Sequence, residues 1–310
     1  MSLKEPSTTR VRRVEIISEK KIKPKKILLT GDWHISPIVS EKQREILEKT
    51  IEREEPDLVL LQGDLIDNAE LLRTEQFQNQ LVETIRVCSK KATTVGVIGN
   101  HDQFERKKKI FGRESLVEYR ARFDSGAEEI LKKVIKEAGA KLLLDEWFEF
   151  EGINVFGFYQ DVECCFYDRD KNRRFEKMSE KLKKLEQAGV LGKAGEFNWF
   201  LAHAPIERLV FMSELEKFDV FSFGHTHGGC VPRGLDKVFD RLRLHGGIVE
   251  PHGGLFPKDF MRGVKILPDG RTVIINSGMV ATQFSAPRAT WYLNFLKAAE
   301  VTVVEIKSKE

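Results

Sequence analysis

The feature that most constrains this chain is a recurring order along its length. An apolar run of about five residues is followed by glycine or a polar turn, and then by a longer segment with helical spacing. The runs are Ile27-Leu28-Leu29, Leu58-Val59-Leu60-Leu61, Val95-Gly96-Val97-Ile98, Val155-Phe156-Gly157-Phe158, Phe200-Leu201-Ala202 and Val220-Phe221-Ser222-Phe223. None alternates strictly between apolar and polar, which predicts strands covered on both faces. Helical spacing is readable near residues 40–54, 69–91, 125–139, 174–189 and 206–217. Alternation of this kind predicts an α/β fold. Residues 1–10 read as unstructured, and Val11 to Ile17 as an edge strand within an N-terminal extension of residues 1–25. No solenoid repeat or low-complexity segment interrupts residues 26–306, which read as a single domain with insertions near 103–126 and 161–178. Towards the C-terminus the pattern turns to strands: a hairpin from Val264 to Ile275 turning at Pro268-Asp269-Gly270, then Trp291 to Phe295 and Val301 to Ile306.

Composition narrows the classes. With 51 Lys+Arg against 48 Asp+Glu, the net charge of +3 gives no polyanion-binding surface from the totals, only from local clusters. No run of about 18 apolar residues occurs, and the start MSLKEPSTTR lacks an apolar signal segment, so the expected location is cytoplasmic. The cysteines Cys88, Cys164, Cys165 and Cys230 show no C-x-x-C spacing and are expected as reduced thiols. Walker-type, dinucleotide-binding and G-x-S-x-G segments do not occur.

Five of the seven histidines, His34, His101, His203, His225 and His227, stand at or just after the ends of apolar runs. Strand ends in α/β sheets project side chains into a common crevice, so residues distant in sequence converge there. The segments read Gly31-Asp32-Trp33-His34, Gly63-Asp64, Gly99-Asn100-His101-Asp102, His203 and Gly224-His225-Thr226-His227. Carboxylate, amide oxygen and imidazole together favour divalent manganese, iron or zinc, whereas a thiolate site would need cysteines close by. In Asp32-x-His34, side chains one residue apart on an extended segment point to the same side and can hold one ion, and His225-x-His227 repeats the spacing. The seven candidate ligands Asp32, His34, Asp64, Asn100, His203, His225 and His227 exceed what one ion needs. Two ions about 3.5–4 Å apart need a bridging carboxylate, and Asp64 stands alone after its strand. Such a pair generates hydroxide near neutral pH and neutralises a bound phosphate, which is the chemistry of phosphoester hydrolysis.

This ordered series resembles the calcineurin-like metallophosphoesterase superfamily over about residues 26–228. The resemblance implies two packed β-sheets flanked by helices, an α/β/β/α sandwich. It also implies one metal held by Asp32, His34, Asp64 and His227, and a second by Asp64, Asn100, His203 and His225. His101 would protonate the leaving oxygen or stabilise charge on the phosphoryl group, with Asp102 orienting it. A narrower similarity, carried by Gly228-Gly229 and by Asn276-Ser277-Gly278 with Pro287-Arg288, is to the branch that includes cell-envelope phosphoesterases acting on lipid-linked or cell-wall substrates. The two insertions and the lack of a transmembrane segment depart from that branch.

The expectation is therefore a dimetal phosphoester hydrolase acting on a small-molecule or nucleotide phosphodiester or pyrophosphate, since His101 offers the assistance that poor alkoxide leaving groups need. One alternative is a nuclease acting on single strands. Residues 103–124 carry Arg106-Lys107-Lys108-Lys109 with Phe104, Phe111, Tyr119 and Phe123 interleaved, a basic and aromatic mixture suited to nucleic acid. Glu105, Glu114, Glu118 and Asp124 in the same stretch favour a solvated amphipathic helix. The other alternative is a metal-binding interaction module without turnover, which would be expected to have lost ligands. His245 and His252, in glycine-rich sequence, read as solvated loop histidines, and Cys164-Cys165 as packing residues. No oligomeric state follows from the sequence.

Overall fold

Side chains alternate across a strand with a period of two, so an unbroken apolar run serves two cores at once. Leu58 and Leu60 point into one cluster while Val59 and Leu61 point into another, and Phe197, Trp199 and Leu201 are likewise separated from Phe200. Three cores result, and three cores require four layers.

The computed structural model describes residues 9–37, 42–105, 122–123, 125–161, 171–192, 196–205, 207–227, 238, 241–242, 261–279 and 299–309. Most of the 103–126 segment, residues 162–170 with Cys164 and Cys165, Gly228-Gly229, Cys230, His245, His252, Pro287-Arg288 and the strand expected at Trp291 to Phe295 lie outside them.

The first half of the chain runs β1 (Thr9–Ser18), β2 (Lys25–Thr30), α1 (Lys42–Glu54), β3 (Leu58–Leu61), α2 (Glu75–Ser89) and β4 (Thr93–Gly96). It continues through the single turn α3 (Asn100–Gln103), β5 (Phe104–Glu105), β6 (Arg122–Phe123), α4 (Ser125–Glu137) and β7 (Lys141–Leu142). Then come β8 (Glu146–Phe150), β9 (Ile153–Gly157), α5 (Lys171–Gln187), β10 (Phe197–Leu201), β11 (Val220–Phe223), β12 (Gly263–Ile266), β13 (Thr272–Ile275) and β14 (Ala299–Ser308). One six-stranded sheet has the order β1-β14-β2-β3-β4-β7 and the other β12-β13-β11-β10-β9-β8, while β5 and β6 form a small separate pair. Both large sheets are mixed: β2, β3, β4 and β7 are parallel, as are β9, β10, β11 and β13, with antiparallel partners at β14, β8 and β12.

The sheets face each other across the core of Leu29, Leu60, Val95, Val155, Trp199 and Ile274. Helices α1, α2 and α4 cover the outer face of the first sheet, while Met178 and Leu182 of α5 pack with the Phe156, Phe200 and Phe221 side of the second. This is the α/β/β/α sandwich. Each fully buried aliphatic or aromatic side chain contributes about 1.5–3 kcal/mol, so all three cores contribute substantially to stability. No helix among the described residues is long and apolar enough to cross a membrane.

Three sequence expectations are corrected. The segment near 69–91 is not one helix but a 3-10 turn, Ala69–Arg73, followed by α2. Thr74 lies between them in extended conformation, φ −103° and ψ 121°, and breaks the helix. The segment near 206–217 forms the 3-10 turns Glu207–Phe211 and Ser213–Leu215, interrupted at Met212 with ψ 142°. Thr9 and Arg10 belong to β1, which pairs in parallel with β14 along its whole length.

Candidate metal centre

Every residue singled out near a strand end projects from the C-terminal edge of the parallel strands. Asp32 and His34 follow β2, Asp64 follows β3 and Asn100 and His101 open α3 after β4, whereas His203 follows β10 and His225 and His227 follow β11. The loops are fastened to one another before any ligand is considered. Asp32 N donates to Gly63 O at 2.9 Å and His34 N to Asp64 O at 3.0 Å. His101 N donates to Asp64 Oδ1 at 2.8 Å, and His225 N lies 3.1 Å from both carboxylate oxygens of Asp32.

The backbone that produces this convergence is not the extended segment that the Asp-x-His spacing predicts. Asp32, His34, Asp64, His225 and His227 all have positive φ, between 46° and 68°. Left-handed turns, rather than strand periodicity, aim these side chains. Such conformations cost of order 1–3 kcal/mol each and persist where surrounding structure imposes them. Neighbouring glycines make room for the carboxylates. A Cβ on Gly99 would collide with Asp64 Oδ1, and one on Gly278 (φ 73°) would lie 2.5 Å from Asp32 Cβ.

Asp32, His34 and His227 offer ligand atoms within 4.8 Å of one another, as do Asp64, His203 and His225, and as do His34, Asp64 and His101. All are buried. His227 Nε2 is 3.8 Å from Asp32 Oδ1, and His34 Nε2 is 3.7 Å from Asp64 Oδ2 and 4.0 Å from Asp32 Oδ1. His203 Nε2 lies 3.1 Å from Asp64 Oδ2, 3.1 Å from Asn100 Oδ1 and 3.0 Å from His225 Nδ1. The structure thus brings all seven predicted ligands together, with Asp64 between the two groups.

The electrostatics of this cluster test whether cations fit it. The His203 Nδ1 faces the Gln62 carbonyl at 2.7 Å, so that nitrogen carries a proton and Nε2 is the atom turned towards Asp64, Asn100 and His225. The lone pairs of these atoms repel unless a proton or a cation lies among them. Burial lowers the His203 pKa, yet the Asp64 charge and hydrogen bond overcome it and push it up to about 9. Burial raises Asp64, but the charges of His203, His101 and His34 hold it well below the usual carboxylate range. A buried imidazolium is one way to meet that need. A divalent cation is another, and metal binding displaces such protons. Imidazole, carboxylate and amide oxygen are suitable ligands for it.

His101 stands beside the cluster, with Nε2 3.9 Å from Asp64 Oδ2. Its partner differs from the expectation. Asp102 turns away from the imidazole: its Oδ1 accepts from Leu65 N at 2.9 Å and Ile66 N at 3.0 Å, and its Oδ2 from Gly99 N at 2.8 Å. It pins the Asp64 and Asn100 loops together, and burial with the neighbouring Asp64 charge pushes its pKa up to about 7. The His101 Nδ1 instead faces Asp67, 2.7 Å from the carbonyl and 3.5 Å from Oδ1. Asp67 also lies 3.7 Å from His34 Nδ1. Its signal was present in Gly63-Asp64-Leu65-Ile66-Asp67, a second carboxylate three residues after the first.

Residues 25–229 match the family described as calcineurin-like phosphoesterase. The chain belongs to that family. Membership makes it a phosphoester hydrolase with divalent metal cofactors, and its two mixed sheets flanked by helices are the calcineurin-like fold. An uncharacterized metallophosphoesterase of Aquifex aeolicus (strain VF5) is 24% identical over 285 residues, covering 92% of this chain and 85% of that protein. A subunit of the nuclease SbcCD from Staphylococcus epidermidis (strain ATCC 12228 / FDA PCI 1200) is 24% identical over 231 residues, covering 65% of this chain and 56% of that protein. A dimetal phosphatase from Danio rerio aligns in structure with a TM-score of 0.45 and 12% identity, over 85% of this chain and 90% of its own.

Proposed function

We propose that this calcineurin-like phosphoesterase is a dimetal phosphodiesterase acting on a small-molecule or nucleotide diester or pyrophosphate. The observation that carries the reading is the position of Asp64 between the Asp32, His34 and His227 group and the His203 and His225 group. Asp32, His34, Asp64 and His227 would hold one divalent cation, and Asp64, Asn100, His203 and His225 the other. When bound, two such cations supply charge neutralisation for the phosphoryl group and a water acidic enough to ionise near neutral pH. Manganese, iron and zinc all suit these ligands.

The protein's own contribution is positioning and proton transfer. Left-handed turns at Asp32, His34, Asp64, His225 and His227 preset the ligand directions. Asp67 holds His101 through Nδ1 and leaves Nε2 turned towards the cluster. From there His101 donates a proton to the leaving oxygen, which matters most for an alkoxide of high pKa and least for a phenolate. That dependence favours substrates that expel an alkoxide, small-molecule and nucleotide diesters among them.

The test is manganese-dependent hydrolysis of an aryl phosphodiester beside the matching monoester, with Asp64→Asn as control. Diester turnover that disappears in Asp64→Asn is the expected result, and preferential monoester turnover would refute the diester assignment. The similarity to a subunit of the nuclease SbcCD favours a second reading, cleavage of nucleic acid, and the basic and aromatic residues of 103–124 point that reading to single strands. Binding of a labelled single strand that weakens steeply with salt supports it, and absent or salt-independent binding removes it.

A further inference from the structure

The two candidate metal groups draw ligands from both sheets, since Asp32, His34, Asp64 and Asn100 follow strands of the first and His203, His225 and His227 follow strands of the second. Ligand geometry is therefore only as constant as the gap between the sheets. Apolar side chains such as Leu60, Val95, Trp199 and Ile274 fill most of that gap, and apolar packing sets a volume without a direction. Directly after β3 one residue differs. Gln62 is wholly buried, and its side chain is hydrogen-bonded across the gap.

Its Nε2 donates to Phe223 O at 2.9 Å, at the end of β11, and its Oε1 accepts from Asn276 Nδ2 at 2.9 Å, just past β13. Asn276 Nδ2 lies 3.3 Å from Leu29 O of β2, so the link returns to the first sheet. A carbonyl can only accept, so Phe223 O orients the Gln62 amide, which in turn orients that of Asn276. The Gln62 backbone is tied in as well: its N donates to Thr30 O at 2.8 Å, and its O faces His203 Nδ1 at 2.7 Å. A Cβ on Gly31 would approach Gln62 Cβ to 2.9 Å, so the loop carrying Asp32 rests against this side chain.

We propose that Gln62 is a positioning residue, an amide clasp between the sheets that sets the span across which the two cations share ligands. It acts through Asp64, two residues on, and through His203, which its carbonyl orients. The position needs a donor towards Phe223 O and an acceptor towards Asn276 Nδ2 at the same time. An amide supplies both, a carboxylate only the acceptor, and a thioether no donor and at most a weak acceptor. This inference rests on the dimetal reading above.

Cobalt titration of the metal-stripped protein tests it, read by visible absorption and by the spin coupling of adjacent cobalt ions. Wild-type protein is expected to take up two ions with a coupled signal. Gln62→Met keeps the volume, removes the donor to Phe223 O and leaves at most a weak acceptor towards Asn276 Nδ2. It is expected to bind about 10–100-fold more weakly, as when an outer-shell partner of a ligand is lost, with altered absorption and diminished coupling. Affinity and spectra equal to wild type, whatever the change in melting temperature, would overturn the clasp. Should Gln62→Met not fold, Asn276→Ala keeps the bond to Phe223 O and is expected to shift the same readouts less, and again equality with wild type overturns the inference. A wild-type protein that takes up no coupled pair overturns the dimetal reading and the clasp with it, an outcome separate from a variant that matches a competent wild type.

Discussion

His101 and Asp67 form a unit that the positions of the histidines alone do not reveal. The imidazole is buried, its Nδ1 is 2.7 Å from the Asp67 carbonyl, and Nε2 is left facing Asp64. If Nε2 delivers the proton to the leaving oxygen, its removal should matter in proportion to how poor the leaving group is. We therefore expect His101→Ala to lower kcat by roughly 10²–10⁴-fold on an alkyl diester, and by much less on a nitrophenyl diester. Equal losses on both would show that His101 acts on the phosphoryl charge and not on the leaving oxygen. Asp67→Asn should give a smaller loss with the same leaving-group dependence. The aspartate beside His101 in sequence, Asp102, does not orient the imidazole, because its carboxylate accepts three backbone N–H groups instead. Adjacency along a chain does not say which way a side chain turns. That depends on backbone torsions at the start of α3.

Among the elements, β1 and β14 carry a buried ion pair behind the centre. Glu300 accepts from Arg12 through both oxygens, at 3.2 and 3.0 Å, and lies 3.8 Å from Arg10. Ser277 N lies 3.3 Å from Glu300 Oε1, and Glu300 N donates to Gly278 O at 3.0 Å, so this pair also supports the loop against Asp32. Burial raises the Glu300 pKa, but the charges of Arg12, Arg10 and Arg262 lower it to about 2. The folded value lies below the unfolded one, so this stabilisation is present above about pH 4.5 and is lost as pH falls towards 2. Glu300→Gln should destabilise the protein by about 3 kcal/mol, the lower end for breaking a buried pair, because Arg12 and Arg10 keep some access to water. Denaturant unfolding at pH 7 and pH 3 checks this, and the gap between variant and wild type should narrow at the lower pH. A gap independent of pH would argue against the charge as its source. The strands themselves are readable from their apolar runs because double-sided burial leaves a composition signature. The breaks at Thr74 and Met212 are not, since both depend on ψ values that packing selects.

At the scale of the whole molecule, candidate ligands on both sheets mean that cations held as proposed would cross-link the sandwich. Anything that binds only the folded state stabilises it by mass action, about 2.7 kcal/mol for a site filled at 100 times its dissociation constant. Chelation should therefore lower Tm, and manganese should restore it in wild type but not in Asp64→Asn. A Tm indifferent to chelation and resupply would mean that the cations do not bridge the sheets. The alternation of strands and helices, the family, and the order of the seven candidate ligands were legible in the sequence, because each rests on local composition at a strand end. Only the folded chain shows that left-handed turns aim those candidate ligands, that Asp67 holds His101, and that Gln62 spans the gap between the sheets. Those features depend on contacts between residues as far apart as Gln62 and Asn276, and no local pattern records which distant atom a buried polar group will meet.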